Sequence, residues 1–176
     1  MRAFQDLTQD FIPRESTRTC MLIFAHIFAG ALLGLGFWHL TNDRRAVLFC
    51  VVGSILPDLI DKSLGLVFPS VLGGGRTVFH ALVIIIVILL CTLIFFRSMA
   101  RWPGAGMAGA VLLHQIMDEM WTLPADWFWP LLGPFTGHMI PDYIGFYFWH
   151  EITSPSEWIF MTGSLVILAK TYYYTE

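Results

Sequence analysis

Charged side chains are scarce in this sequence. They make up 13% of its 176 residues, against about 25% in a soluble domain. No sign dominates: ten Lys and Arg oppose 13 Asp and Glu, the formal net charge is −3, and no basic run occurs. That excludes the electrostatic footprint of a nucleic-acid-binding chain. Cysteine is sparse as well. Cys20, Cys50 and Cys91 are odd in number, lie in apolar segments and show no CxxC or finger spacing, so they are expected to be buried thiols. There is no internal repeat and no low-complexity tract, and a chain of this length suits one domain.

What fills the space is apolar. Hydrophobic residues reach 56% and the mean hydropathy is +0.67, which places the chain in the membrane class. A polar arm, residues 1–19, carries Asp6, Asp10 and Glu15 among its arginines and is unlike a signal peptide. Residues 20–176 are expected to form a single transmembrane helical domain. Cys20 to Leu40 predicts a first helix, with Gly30, Gly34 and Gly36 as a small-residue packing face. Asn42-Asp43-Arg44-Arg45 predicts a tight turn, and Ala46 to Asp61 a shorter second segment ending near Pro57, either spanning at a thinned site or re-entrant. Lys62 to Arg76 is expected to be a loop, Thr77 to Phe96 a third helix, Pro103-Gly104 a turn, and Ala105 to Leu123 a fourth helix. Residues 124–157 are irregular and aromatic (Trp127, Trp129, Phe135, Tyr143, Phe146, Tyr147, Phe148, Trp149), which suits the headgroup level. Trp158 to Lys170 begins a last helix. The expected fold is therefore all-α: a polytopic transmembrane bundle of about four to five membrane segments.

Four apolar stretches are interrupted by ionisable groups: His26, Asp58 with Asp61, His80, and His114 with Asp118. Such groups cost about 3 kcal/mol or more each in hydrocarbon, so they are rare and usually functional. If the helices alternate in direction, starts of odd helices and ends of even helices share one side of the membrane. All six groups then lie at a similar depth. His114 and Asp118 are spaced i, i+4 and Asp58 and Asp61 i, i+3, so each pair shares a helix face. Histidine with carboxylate is the ligand set of a hydrolytic metal site. The set His26, Asp58, Asp61, His80, His114 and Asp118 is large enough for one or two divalent ions, zinc foremost, manganese or magnesium next. Two ions are a recurring device for phosphoester hydrolysis. Asp58 and Asp61 are the expected catalytic carboxylates, and Arg76 is placed to clamp a phosphate oxygen.

Blander roles suit other polar residues. Asp61 has a second option, pairing with Lys62 or capping a turn. Glu119 points about 100° away from Asp118 on a helix. His138 and Asp142 repeat the spacing of His114 and Asp118, but Pro141 breaks the helix that would align them. His150-Glu151 suits an interface pair, and His39 lies at the far end of helix one.

These residues resemble the membrane-bound metal-dependent hydrolases of the YdjM-like, LexA-regulated family. The early histidine is Ala25-His26-Ile27. The G-S-x-x-P-D motif is Gly53-Ser54-Ile55-Leu56-Pro57-Asp58, followed by Asp61. Arg76-Thr77-Val78-Phe79-His80 loosely matches an R-G-x-T-H motif, and His114 to Asp118 with Pro124 matches H-x-x-x-D and a proline turn. The motifs come in the family order across residues 20–135. Many members have D-x-D followed by His, where this chain has Asp58-x-x-Asp61 and Lys62; many carry a further His where it has Gly75. The resemblance implies a helical membrane fold and metal binding. Zinc-dependent phospholipase C-like enzymes use related His/Asp sets, which by analogy implies a phospholipid or lipid-phosphate substrate.

The expected protein is thus a multi-pass cell-membrane hydrolase acting on a lipid-like phosphoester, with the bilayer as its partner and no nucleic acid. Arg44, Arg45, Arg97 and Arg101 lie in short loops opposite the site, which favours a site facing away from the cytoplasm. Two alternatives compete: a non-catalytic protein whose metal ties helices together, and an ion or proton transporter. Ile84 to Phe96 is apolar apart from Cys91 and Thr92, so a transporter's polar relay would end halfway.

Overall fold

The computed structural model describes residues 23–68, 76–95, 101–135, 149 and 152–173. The polar arm, His138, Asp142, His150, Glu151 and most of the aromatic segment lie outside the described residues. Those that are described are helical, without strand. In chain order the helices are α1 (Ile23–Thr41), α2 (Arg45–Val67), α3 (Leu82–Phe95), α4 (Arg101–Met117), the short α5 (Pro124–Trp127) and α6 (Pro155–Tyr173), with single 3-10 turns at Val78–His80 and Met120–Thr122. Helix α2 is central, packed on α1 and α4; α6 lies on α1, and α3 on α4.

The α1–α2 turn follows the sequence closely. Asn42 adopts φ 55°, a conformation asparagine tolerates. Asp43 accepts hydrogen bonds from the backbone N–H and guanidinium of Arg45, and this contact holds its carboxyl below the ordinary carboxylate range. Gly34 then lets the helices close: a methyl there would lie 2.5 Å from Val47 Cα. Gly30 likewise faces Ser54 and Cys50, but Gly36 meets nothing within 4 Å among the described residues. Two residues beyond Gly34 is about 200° round a helix, so Gly36 leaves the packing face.

Several expected helix boundaries shift. Helix α2 runs through Pro57 to Val67, so residues 62–67 are helix and not loop. Proline removes one ladder bond and weakens its neighbourhood; Asp61, one turn further on, anchors the continuation. The third segment begins as a 3-10 turn, and α3 starts only at Leu82 after an extended Ala81. Helix α4 takes Pro103 and Gly104 into its first turn, where proline suits a helix start. It stops at Met117 because Glu119 turns left-handed at φ 53°. Helix α6 starts at Pro155, not Trp158.

The distribution of side chains inverts that of a soluble domain. The buried apolar residues are mostly small, such as Ala31, Ala46, Val47, Cys50, Ala81 and Ala110. The buried polar set holds His26, Asp58, Asp61, His80, His114, Gln115 and Asp118, while Leu32, Leu48, Ile86, Leu90, Ile94 and Phe95 face outward. Cys91 also faces outward on α3, against expectation, and Cys50 is buried. Among the described residues α1 alone is long and apolar enough to cross a membrane by those criteria; α3 is apolar but shorter. Arg45, Asp58, Asp61 and Lys62 all lie on α2 and depress its hydropathy.

Candidate metal centre

The polar residues gather at one end of the bundle. Helices α2 and α4 bring their C-terminal halves there, and α1 and the Val78–His80 turn bring their starts. Asp58, His80, His114 and Asp118 are all buried, and one ligand atom from each lies within 4.8 Å of the others. Asp118 follows the last residue of α4, but its N–H still bonds the His114 carbonyl at 2.9 Å. The i, i+4 relation therefore survives the early helix end.

Hydrogen bonding fixes both imidazoles. The Nδ1 of His114 lies 2.7 Å from the Ser54 carbonyl, which can only accept, so this nitrogen carries the proton. Ser54 sits three residues before Pro57, where the α2 ladder is loosened and a carbonyl is ready for an outside donor. The Nδ1 of His80 lies 2.8 Å from Asp61 Oδ2 and donates to it. Each neutral ring then presents an Nε2 lone pair, and the two Nε2 atoms are 3.2 Å apart. Lone pairs facing at that distance repel unless a proton or a cation lies between them. Asp58 Oδ1 completes the convergence, 3.6 Å from His80 Nε2 and 3.9 Å from His114 Nε2. It is buried and accepts no hydrogen bond from the described residues. Two imidazole nitrogens and two carboxylates, one with an orphaned oxygen, fit a metal ion.

The other expected site residues surround this group. His26 meets it at the edge, its Nε2 3.3 Å from Asp118 Oδ1 and its ring centroid 4.2 Å from that of His114. Arg76 also reaches Asp118, with a guanidinium nitrogen 3.1 Å from Oδ2. Asp61 does not face the group directly. Its oxygens accept from the N–H groups of Thr77, Phe79 and His80, from the Thr77 hydroxyl, and from His80 Nδ1. A carboxylate that holds a backbone turn and a histidine together is a support for a ligand. Lys62 pairs with Asp58 at 2.5 Å, four residues away along one helix face.

Residues given no role in the sequence complete the support. Gln115 points its amide NH2 at the Ala81 carbonyl, 3.2 Å away, and its oxygen accepts the Trp127 indole N–H at 2.9 Å. Glu157 is buried and accepts the backbone N–H of Ala25, next to His26. Ser154-Pro155-Ser156-Glu157 is a capping-box sequence with proline at the first helical position, a signal that could have placed the start of α6. Gln115→Leu leaves the Ala81 carbonyl and the Trp127 indole without these partners. An expected loss of about 1–3 kcal/mol would appear as a lower unfolding temperature in detergent. An unchanged temperature would mean that other groups take Gln115's place.

Among protein families, the one described as YdjM inner membrane protein matches residues 21–175. The chain belongs to the YdjM inner membrane protein family. The match spans every described element, and all members of the His/Asp cluster lie inside it. Neither the curated proteins nor the solved structures contain a match to this YdjM-family chain.

Proposed function

We propose that this YdjM-family protein is a multi-pass membrane hydrolase that uses one divalent centre, zinc foremost, to cleave a lipid-like phosphoester. The observation that carries the proposal is the pair of Nε2 atoms 3.2 Å apart beside the unbonded Asp58 Oδ1. The large apolar side chains facing outward support lipid contact around α1 to α4 and α6. His80, His114, Asp58 and Asp118 would hold the ion. Asp61 and the Ser54 carbonyl orient the two imidazoles, and His26 holds Asp118 from its far side. A bound divalent ion supplies Lewis acidity toward water and toward a phosphoryl oxygen. Arg76, on Asp118 at the rim, is placed to take a second phosphoryl oxygen through its planar donors. Arg44 and Arg45 at the opposite end favour a centre that faces away from the cytoplasm.

The test is metal content of detergent-purified protein by elemental mass spectrometry, with His114→Ala and Asp58→Ala beside the wild type. Stoichiometric transition metal in the wild type, lost from both variants while helicity by circular dichroism persists, is the expected result. A panel of phosphoester lipids then identifies the substrate. No metal in the wild type, as purified or after reconstitution, sinks the proposal. Metal loss that unfolds both variants, with no lipid turned over, favours a purely structural ion.

A further inference from the structure

We infer that the centre takes a single ion and that the Lys62 ammonium stands where a second ion would otherwise bind. This rests on the metal-dependent function proposed above. Asp58 divides its two oxygens. Oδ1 is buried, free of hydrogen bonds and turned toward both imidazoles, whereas Oδ2 lies 2.5 Å from Lys62 Nζ. A carboxylate that bridges two metal ions splits its oxygens in the same way. Here the outer oxygen already has its cation.

Most donors for a second ion are committed elsewhere, and His26 Nε2 lies against Asp118 Oδ1 at 3.3 Å. Both oxygens of Asp61 are taken by Thr77, Phe79 and His80. The Nδ1 atoms of His80 and His114 are taken by Asp61 and by the Ser54 carbonyl. Asp118 Oδ2 carries the Arg76 guanidinium. Charge leads to the same conclusion. One divalent ion with Lys62 and Arg76 outweighs the three carboxylates Asp58, Asp61 and Asp118 by one positive charge, which leaves the centre cationic enough to hold an anion. A second divalent ion would add two more positive charges beside an ammonium. Lys62 is 26% exposed and Asp58 7%, so the ammonium lies between the buried centre and its surroundings, where it can meet a phosphoryl group. Lys62 is thereby a substrate-binding residue, with a role usually given to the second metal.

The experiment measures zinc per chain by elemental mass spectrometry and inorganic phosphate affinity by calorimetry on the zinc-loaded full chain. Wild type is compared with Lys62→Met and Lys62→Arg. One equivalent of zinc is expected in the wild type. Lys62→Met should keep that ion and bind phosphate about 10- to 100-fold more weakly, as for a lost hydrogen bond to a charged group. Lys62→Arg should stay within a few-fold of wild type. Two equivalents in the wild type overturn the inference and leave the metal-dependent function standing; no zinc overturns both. Unchanged phosphate affinity in Lys62→Met overturns the role of the ammonium. Loss of the ion from a folded Lys62→Met does so too, because a cation that stands in for metal is not needed to retain it. If Lys62→Met fails to fold, the wild-type zinc count and Lys62→Arg still decide the stoichiometry.

Discussion

Asp61→Ala is expected to unfold the metal end of the bundle and abolish metal binding, although Asp61 touches no metal ion in the proposed site. Its carboxylate is fully buried and gathers the Thr77, Phe79 and His80 N–H groups, the Thr77 hydroxyl and His80 Nδ1. Alanine takes this acceptor from all of them in a dry interior, and among the described residues only the His80 N–H keeps another, the Thr77 carbonyl at 3.1 Å. Removing one partner of such a buried ionic cluster costs about 3–5 kcal/mol, a large share of the stability of a small domain. Asp61→Asn separates the two effects. Its amide keeps the volume and one oxygen for the backbone donors, and its NH2 can donate to the Thr77 hydroxyl. The turn should therefore hold, while His80 loses the negative charge behind it. Loss of such an outer partner lowers metal affinity about 10- to 100-fold. Thermal unfolding in detergent and a zinc titration against a competing chelator read the two quantities separately. Wild-type stability and wild-type zinc affinity in Asp61→Ala would show that the Val78–His80 turn is held by something else.

Depth and spacing together make much of the centre legible in the sequence. His26, Asp58, His80, His114 and Asp118 interrupt apolar stretches, and alternation of helix direction is enough to put them at one end. The i, i+4 spacing of His114 and Asp118 needs only that one more backbone bond form past Met117, and it does. The roles of Asp61 and Lys62 are legible only in part: capping a turn is among the options for Asp61, but the sequence gives Lys62 no place beside Asp58. Lys62 reads as the first residue of a loop, and where its side chain goes depends on Pro57 and on whether the helix continues beyond it. A proline reads as an end; the Thr77–His80 turn, from 16 residues downstream, closes on Asp61 and keeps the helix going. The same long-range contact explains why the third helix starts late, since a turn pinned by a carboxylate cannot also be the first turn of α3. Glycine spacing is legible only in part. Gly30 and Gly34 lie on the face toward α2, whereas the approach of α4 to α2 is set by Gly53, whose place in a motif conceals its packing role.

That packing role yields the second large effect. Gly53→Ala is expected to weaken zinc binding more than about tenfold and to cost about 1–3 kcal/mol, the range for overpacking a tight contact. A methyl on Gly53 would lie 2.5 Å from the Met107 carbonyl oxygen and 3.1 Å from Ala110 Cβ. The first of these is backbone and cannot rotate away. Carbon atoms settle about 3.5–4 Å apart, so α2 and α4 must part by a substantial fraction of an ångström. The next residue is Ser54, whose carbonyl is 2.7 Å from His114 Nδ1. Separation at Gly53 lengthens that bond, frees the ring to rotate and disperses the two Nε2 atoms. Gly36→Ala supplies the control, because none of the described residues lies within 4 Å of the added methyl. There the gain in helix propensity should stabilise by about 0.5–1 kcal/mol and leave zinc affinity untouched. Unfolding temperature and chelator competition on both variants decide the matter. If the two substitutions behave alike, helix spacing at Gly53 does not set the geometry of His114. If only Gly53→Ala loses the metal, the distance between two helix backbones, one turn away from the nearest ligand, is what aims the imidazole.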